Sequence, residues 1–138
     1  MSTGYSESEA RNVELVKEWC SSYNSGGAKM VDHFYSEDCT VEVPGVLDQC
    51  SRNLLRSIES KVDDENPQRR IALTRVIPDN DIVIALGYYL QNGEVKREEK
   101  FVALLRFNES GKVCEDISFL DYRFAERLAK GIAARSVT

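Results

Sequence analysis

A single histidine, His33, is all this sequence holds, and that scarcity removes several kinds of chemistry at once. No Ser-His-Asp or Cys-His set can be assembled from other histidines, and no Cys/His zinc site can be completed. The four cysteines, Cys20, Cys39, Cys50 and Cys114, contain no C-x-x-C pair. They read as reduced core or near-core thiols, the state expected in the cytoplasm. Basic clusters are missing too: no run exceeds two residues, as at Arg69-Arg70, and 18 Lys and Arg against 23 Asp and Glu leave a net charge of −5. Nucleic-acid binding needs clustered cations to neutralise phosphates, so that role is excluded. No apolar run reaches the ~20 residues of a membrane span. The N-terminal M-S-T-G-Y-S-E-S-E-A-R-N lacks the basic and apolar regions of a secretory signal. No glycine-rich loop could cradle a phosphate, because the glycines fall in turns. The expectation is a cytoplasmic protein that needs no metal and no cofactor.

What is present is an ordinary globular balance, 42% apolar and 30% charged over 138 residues, enough for one domain. The strongest pattern runs from Val95 to Phe124. It reads as two long strands joined at Asn108-Glu109-Ser110-Gly111-Lys112, with Gly111 supplying the positive φ such a loop needs. The first strand carries Phe101-Val102-Ala103-Leu104-Leu105. The second carries Ile117, Phe119 and Leu120, then the carboxylate Asp121.

Before that hairpin, residues 1–5 read as a mobile tail, and Ser6 with Glu9 forms a capping-box pattern. Val13, Val16, Trp19, Cys20 and Tyr23 then recur at helical spacing as far as Asn24-Ser25-Gly26-Gly27. A short second helix has Met30, Val31, Phe34 and Tyr35 on its inner face and closes at Ser36-Glu37-Asp38. Residues 39–43 alternate as a strand stopped by Pro44-Gly45, and residues 50–62 form a third helix on Leu54, Leu55, Ile58 and Val62. Strands over 70–77 and 82–90 follow, then an Asn92-Gly93 turn into the long hairpin. A last helix is expected over 124–135, with Phe124, Leu128 and Ile132 on one face. Helices segregated from an antiparallel meander define an α+β domain spanning 1–138.

This order resembles the nuclear-transport-factor-2-like superfamily, which includes SnoaL-like polyketide cyclases, ketosteroid isomerases and limonene-epoxide-hydrolase-like enzymes. The strings that carry the resemblance are V-K-E-W-C-S-S-Y-N-S-G-G, H-F-Y-S-E-D-C-T-V-E-V-P-G, and R-F-N-E-S-G-K-V followed by F-L-D, within residues 10–124. The resemblance implies a cone: a strongly curved antiparallel sheet with the N-terminal helices packed in its concave face. It also implies an apolar pocket for a hydrophobic, cyclic or polyketide-like small molecule, and a homodimer formed through the sheet. It does not imply steroid isomerisation. The positions matching that mechanism's tyrosine, proton-shuttling aspartate and oxyanion acid are Trp19, Val43 and Ala103. Of the epoxide hydrolases' Asp–Arg–Asp set, only the last member finds a match, Asp121.

Asp121 is therefore the expected general acid/base of an isomerase, cyclase, dehydratase or epoxide hydrolase. Trp19, Tyr23, Val43, Tyr88, Phe101, Ala103 and Phe119 are the expected pocket residues. Tyr88 and Tyr89 must point to opposite faces of their strand, so at most one of them lines it. Arg97 and Glu99 share a face with Phe101 and read as a pair meeting across solvent. The opposing reading is a non-catalytic ligand-binding or dimerisation module. An enzyme calls for a cavity of roughly 300 Å³ or more around the carboxylate, and a module for a cavity filled by side chains.

Overall fold

The computed structural model describes residues 4–91, 94–121 and 129; the helix expected over 124–135 and the Asn92-Gly93 turn therefore lie outside the described residues. The first helix, α1 (Glu7–Tyr23), starts on the anticipated capping box. Ser6 Oγ accepts from the Glu9 amide at 3.1 Å, and the Ser6 amide donates to Glu9 Oε1 at 2.9 Å. Together they satisfy two amides that the first turn leaves without carbonyl partners. The helix buries Val16, Trp19, Cys20 and Tyr23 on one face. Asn24 closes it and binds the Ile71 backbone twice, accepting from the amide at 2.7 Å and donating to the carbonyl at 2.9 Å.

Helix α2 (Gly27–Phe34) passes directly into β1 (Tyr35–Val43), so the turn expected at Ser36-Glu37-Asp38 is already strand. Five further strands and one helix complete the described fold: β2 (Leu47–Ser51), α3 (Arg52–Glu65), β3 (Arg70–Asp79), β4 (Ile82–Gln91), β5 (Glu94–Phe107) and β6 (Val113–Leu120). The strands form one curved sheet in the order β2-β1-β6-β5-β4-β3. The expected all-antiparallel sheet needs one correction, because β1 and β6 run parallel. Parallel neighbours require a long crossover, and everything between these two strands, α3 and the meander included, supplies it.

Along β4 the alternation is clean. Val83, Ala85 and Tyr89 are buried on the inner face, and Ile84, Leu86 and Tyr88 are half-exposed on the outer. Gly87 is inward as well, and a Cβ there would collide with the Ala72 carbonyl and the Phe101 ring, so only glycine lets that ring lie across the strand. The register between β5 and β6 breaks once: Phe107 pairs with Val113, but Arg106 pairs with Glu115. The extra residue, Cys114, is a β-bulge, and it reverses which side chains beyond it face inward. Inward positions on β6 are therefore Val113, then Asp116, Ser118 and Leu120, opposite Leu105, Ala103 and Phe101. Ile117 and Phe119 go to the outer face, where Phe119 is 48% exposed.

The core lies between the inner face of the sheet and the three described helices, and it includes Val16, Val31, Ile58, Leu105 and Val113. Cys20, Cys39 and Cys50 are buried thiols and Cys114 is half-buried; none is in a disulfide. Glu99, expected at a solvent-facing pair, is instead buried at 3% exposure because its stretch of β5 points inward like Phe101. No helix among the described residues is long and apolar enough to cross a membrane.

Candidate active site

The inner face of the sheet and the helices leave a mainly apolar cavity of about 80 Å³. Five of the eight residues singled out from the sequence line it: Trp19 and Tyr23 from α1, Val43 from β1, and Phe101 and Ala103 from β5. The structure does not bring the other three to it. Tyr88 lies on the outer face of β4 with the Lys100 ammonium 5.8 Å from its ring centre. Phe119 is on the outer face of β6. Asp121 stands beyond the end of β6, where its amide donates to the Lys100 carbonyl at 2.8 Å, and it is not among the lining residues.

Two carboxylates do reach the cavity, Glu59 and Asp116; Asp116 lies five positions before Asp121 and is only 5% exposed. Both of its oxygens are occupied. Tyr35 Oη donates to Oδ2 at 2.5 Å, and Ser118 Oγ donates to Oδ1 at 2.6 Å. Tyr35 in turn accepts from the Trp19 indole Nε1 at 3.3 Å. Trp19, Tyr35, Asp116 and Ser118 thus form a hydrogen-bonded chain, and all four side chains line the cavity.

Burial disfavours the charged form of Asp116 and pushes its carboxyl up to about 6. The bonds from Ser118 and Tyr35 pull it back, and Glu59 adds a smaller upward push. Burial, reinforced by the neighbouring Asp116, holds the Tyr35 phenol well above its ordinary range, so it stays protonated. The pair is consequently a carboxyl shifted toward neutrality beside a protonated hydroxyl donor.

A second polar group lies at another part of the same wall. Arg69, 6% exposed, donates from Nη2 to Glu59 Oε2 at 2.7 Å and reaches Asp63 Oδ1 at 3.4 Å. Its guanidinium stacks 4.5 Å from the centre of the Tyr23 ring. Burial opposes that charge, but Tyr23, Glu59 and Asp63 outweigh burial and keep it firmly protonated. Asp63 also accepts from the Gly27 and Ala28 amides at 3.1 and 3.2 Å, tying α3 to the start of α2. A Cβ on Gly27 would stand 2.5 Å from Glu59 Oε2, so glycine at this position is what lets the ion pair sit against the helix.

Among the described residues no three His, Cys, Asp or Glu side chains are grouped to hold a metal ion. His33 is exposed and edge-on to Phe34, with ring centres 4.7 Å apart. Sequence reasoning missed Asp116 and Tyr35. The one signal for Asp116 was an acid inside an otherwise strand-like run, V-C-E-D-I-S-F-L, and the bulge concealed which way it points.

No family model and no curated protein matches the sequence. Solved structures do match over nearly the whole chain. A candidate SnoaL-like polyketide cyclase from Jannaschia sp. CCS1 superposes with a TM-score of 0.72 at 13% identity, covering 93% of this chain and 97% of that one. PrhC from Penicillium brasilianum gives 0.73 at 14% identity, covering 94% and 92%. An NTF-2 like protein of unknown function from Burkholderia xenovorans gives 0.66 at 16% identity, covering 84% and 87%. Identities this low establish a shared fold and leave chemistry to be argued from the site.

Proposed function

From the nuclear-transport-factor-2-like, SnoaL-like fold that this chain adopts, we propose that it is a cofactor-independent acid/base enzyme acting on a hydrophobic, cyclic or polyketide-like small molecule. Its reaction would be an isomerisation, cyclisation, dehydration or epoxide opening. The general acid/base role expected of Asp121 is assigned to Asp116. The observation that carries this reading is the burial of Asp116 at an apolar cavity with neutral hydroxyl donors, and no cation among the described residues, on its two oxygens.

The proposed chemistry follows from those bonds. With its carboxyl at about 6, Asp116 is mostly ionised at neutral pH and takes a proton from an activated C–H of the substrate. The electron pair left behind moves into an enolate. Once protonated, Asp116 no longer needs the Tyr35 hydrogen, so that hydroxyl becomes free to donate to the enolate oxygen. Asp116 then returns its proton at another carbon, which gives isomerisation, or the enolate carbon adds to an internal carbonyl and Asp116 protonates the alkoxide that forms, which gives cyclisation. Trp19 keeps the Tyr35 oxygen oriented throughout.

The test is deuterium incorporation from D₂O into a panel of cyclic enones and β-diketones, followed by mass spectrometry. The wild-type protein should accelerate exchange at the activated carbon of a panel member, and Asp116→Asn should lose at least about 100-fold of that rate. An Asp116→Asn protein that exchanges as fast as wild type would contradict the assignment. One observation favours the non-catalytic reading: about 80 Å³ is well below the roughly 300 Å³ of an ordinary ligand site. A substrate must therefore displace side chains of the wall, and a protein that catalyses nothing would show ligand binding without exchange.

The outer face of the sheet supports the expected homodimer. Ile84, Leu104 and Ile117 align across β4, β5 and β6, and Leu86, Val102 and Phe119 align beside them. Six apolar side chains in two rows form a patch suited to a second copy of the chain. Light scattering should give twice the 15.6 kDa chain mass, and Phe119→Asp should halve it. A wild-type mass of one chain would remove the dimer.

A further inference from the structure

Tyr23 and Arg69 form one boundary of the cavity around Asp116. The same two side chains also line a larger cleft of about 670 Å³, part polar and part apolar, between the α1–α2 junction, α3 and the start of β3. Four cations line that cleft, Lys29, Arg56, Arg69 and Arg70, against one carboxylate, Asp63. Asp63 is already engaged by the Gly27 and Ala28 amides and by Arg69, so its charge is turned into the protein.

The cations are not equally spent. Arg56 is held by Asp32 at 2.8 Å, and Arg69 by Glu59. Lys29 is exposed and has no ion pair among the described residues. Among the described residues Arg70 uses only Nη1, donating to the Pro67 and Arg69 carbonyls at 3.1 and 2.7 Å. Those two bonds fix its guanidinium at the cleft edge and leave its other nitrogens for a ligand. This basic concavity belongs to a chain whose net charge is −5, so the local excess stands out against the protein's own field. Concave clusters of one sign draw in the opposite charge.

We propose that the cleft binds the anionic arm of the substrate, a carboxylate or phosphate, while the apolar body passes Tyr23 into the cavity. Lys29 and Arg70 hold the anion, and Arg69 forms the shared wall between the two compartments. The substrate class is thereby narrowed to amphiphiles with a compact hydrophobic part and a negatively charged end. This inference rests on the cavity being the reaction site, and its test separates the two.

The test uses Trp19, the sequence's one tryptophan, as the reporter, because it lines the cavity. Three probes share a phenyl group and a four-carbon linker: 4-phenylbutyrate, 4-phenylbutyl phosphate and the neutral 4-phenyl-1-butanol. All three should perturb Trp19 emission, and the better anion should bind at least about 10-fold more tightly than the alcohol, as charge-assisted bonds from two cations allow. The ratio of the two anions tells which group the arm carries. In Lys29→Gln/Arg70→Gln the anion preference should vanish while alcohol binding stays unchanged. An alcohol that binds as tightly as both anions, or a preference that survives the double substitution, overturns the anion cleft and leaves the Asp116 reading intact. If no probe reaches Trp19, the continuity of cleft and cavity is overturned. Asp116-dependent deuterium exchange then decides separately whether the cavity is a reaction site.

Discussion

Two buried acids share one cavity wall and are handled in opposite ways. Glu59 meets the Arg69 guanidinium at 2.7 Å, so its charge is matched and the pair ties α3 to the start of β3. Among the described residues Asp116 receives only neutral hydroxyls, from Tyr35 and Ser118, and burial drives its carboxyl up to about 6. The lesson is a division of labour. A paired buried charge fixes structure, whereas one given dipoles but no counter-charge remains able to change protonation state.

Breaking the paired acid should have the largest effect. Arg69→Met leaves Glu59 buried without its cation and should lower stability by about 3–5 kcal/mol in urea denaturation. A loss under 1 kcal/mol would mean that the pair does not organise this end of the fold.

Asp116→Asn should do the reverse. The folded carboxyl titrates at about 6 against an ordinary 3.8, so between those values the folded protein holds a proton that the unfolded chain has released. Stability therefore falls as pH rises through that window and stays lower above it. The substitution removes the penalty and should stabilise the fold by roughly 1–3 kcal/mol at pH 8, with the gain disappearing near pH 4. A gain independent of pH would sever the effect from ionisation. Activity should follow the same group with opposite benefit: kcat/KM should drop about tenfold per pH unit below about 6 as the base is protonated.

Tyr35→Phe deprives Asp116 of one donor and the Trp19 indole of its acceptor, at a cost of about 1–3 kcal/mol. Ser118→Ala removes the other donor and should cost about 1 kcal/mol, because it orphans no indole. Both should move the Asp116 titration upward, since both bonds favour the carboxylate. A downward movement in either variant would show that these hydroxyls do not act on Asp116 as described.

Much of the fold was legible in the sequence because its signals are local. The Ser6–Glu9 capping box, the Gly111 turn and the strand over 82–90 each reside in a few residues, and the structure contains all three. β2 was not legible, since L-D-Q-C-S has neither alternation nor β-branched residues, and its place comes from pairing with β1. The parallel β1–β6 contact depends on residues that are far apart in the chain. The helical and β5 walls of the cavity, Trp19, Tyr23, Phe101 and Ala103, follow from simple periodicity. The β6 wall does not: uninterrupted alternation from Val113 would point Phe119 and Asp121 inward, but the bulge at Cys114 puts Asp116 and Ser118 there instead. A one-residue irregularity, invisible in composition, moved the acid of the site by five positions.

Asp116 is a desolvated carboxyl with no counter-charge among the described residues. Carboxyl-carbon NMR titration, assigned by the signal lost in Asp116→Asn, tests it directly. A midpoint near 6 is the expected result. A midpoint at or below the ~3.9 of a free aspartate would mean a solvated or cation-paired carboxylate, and the acid/base account would fall with it.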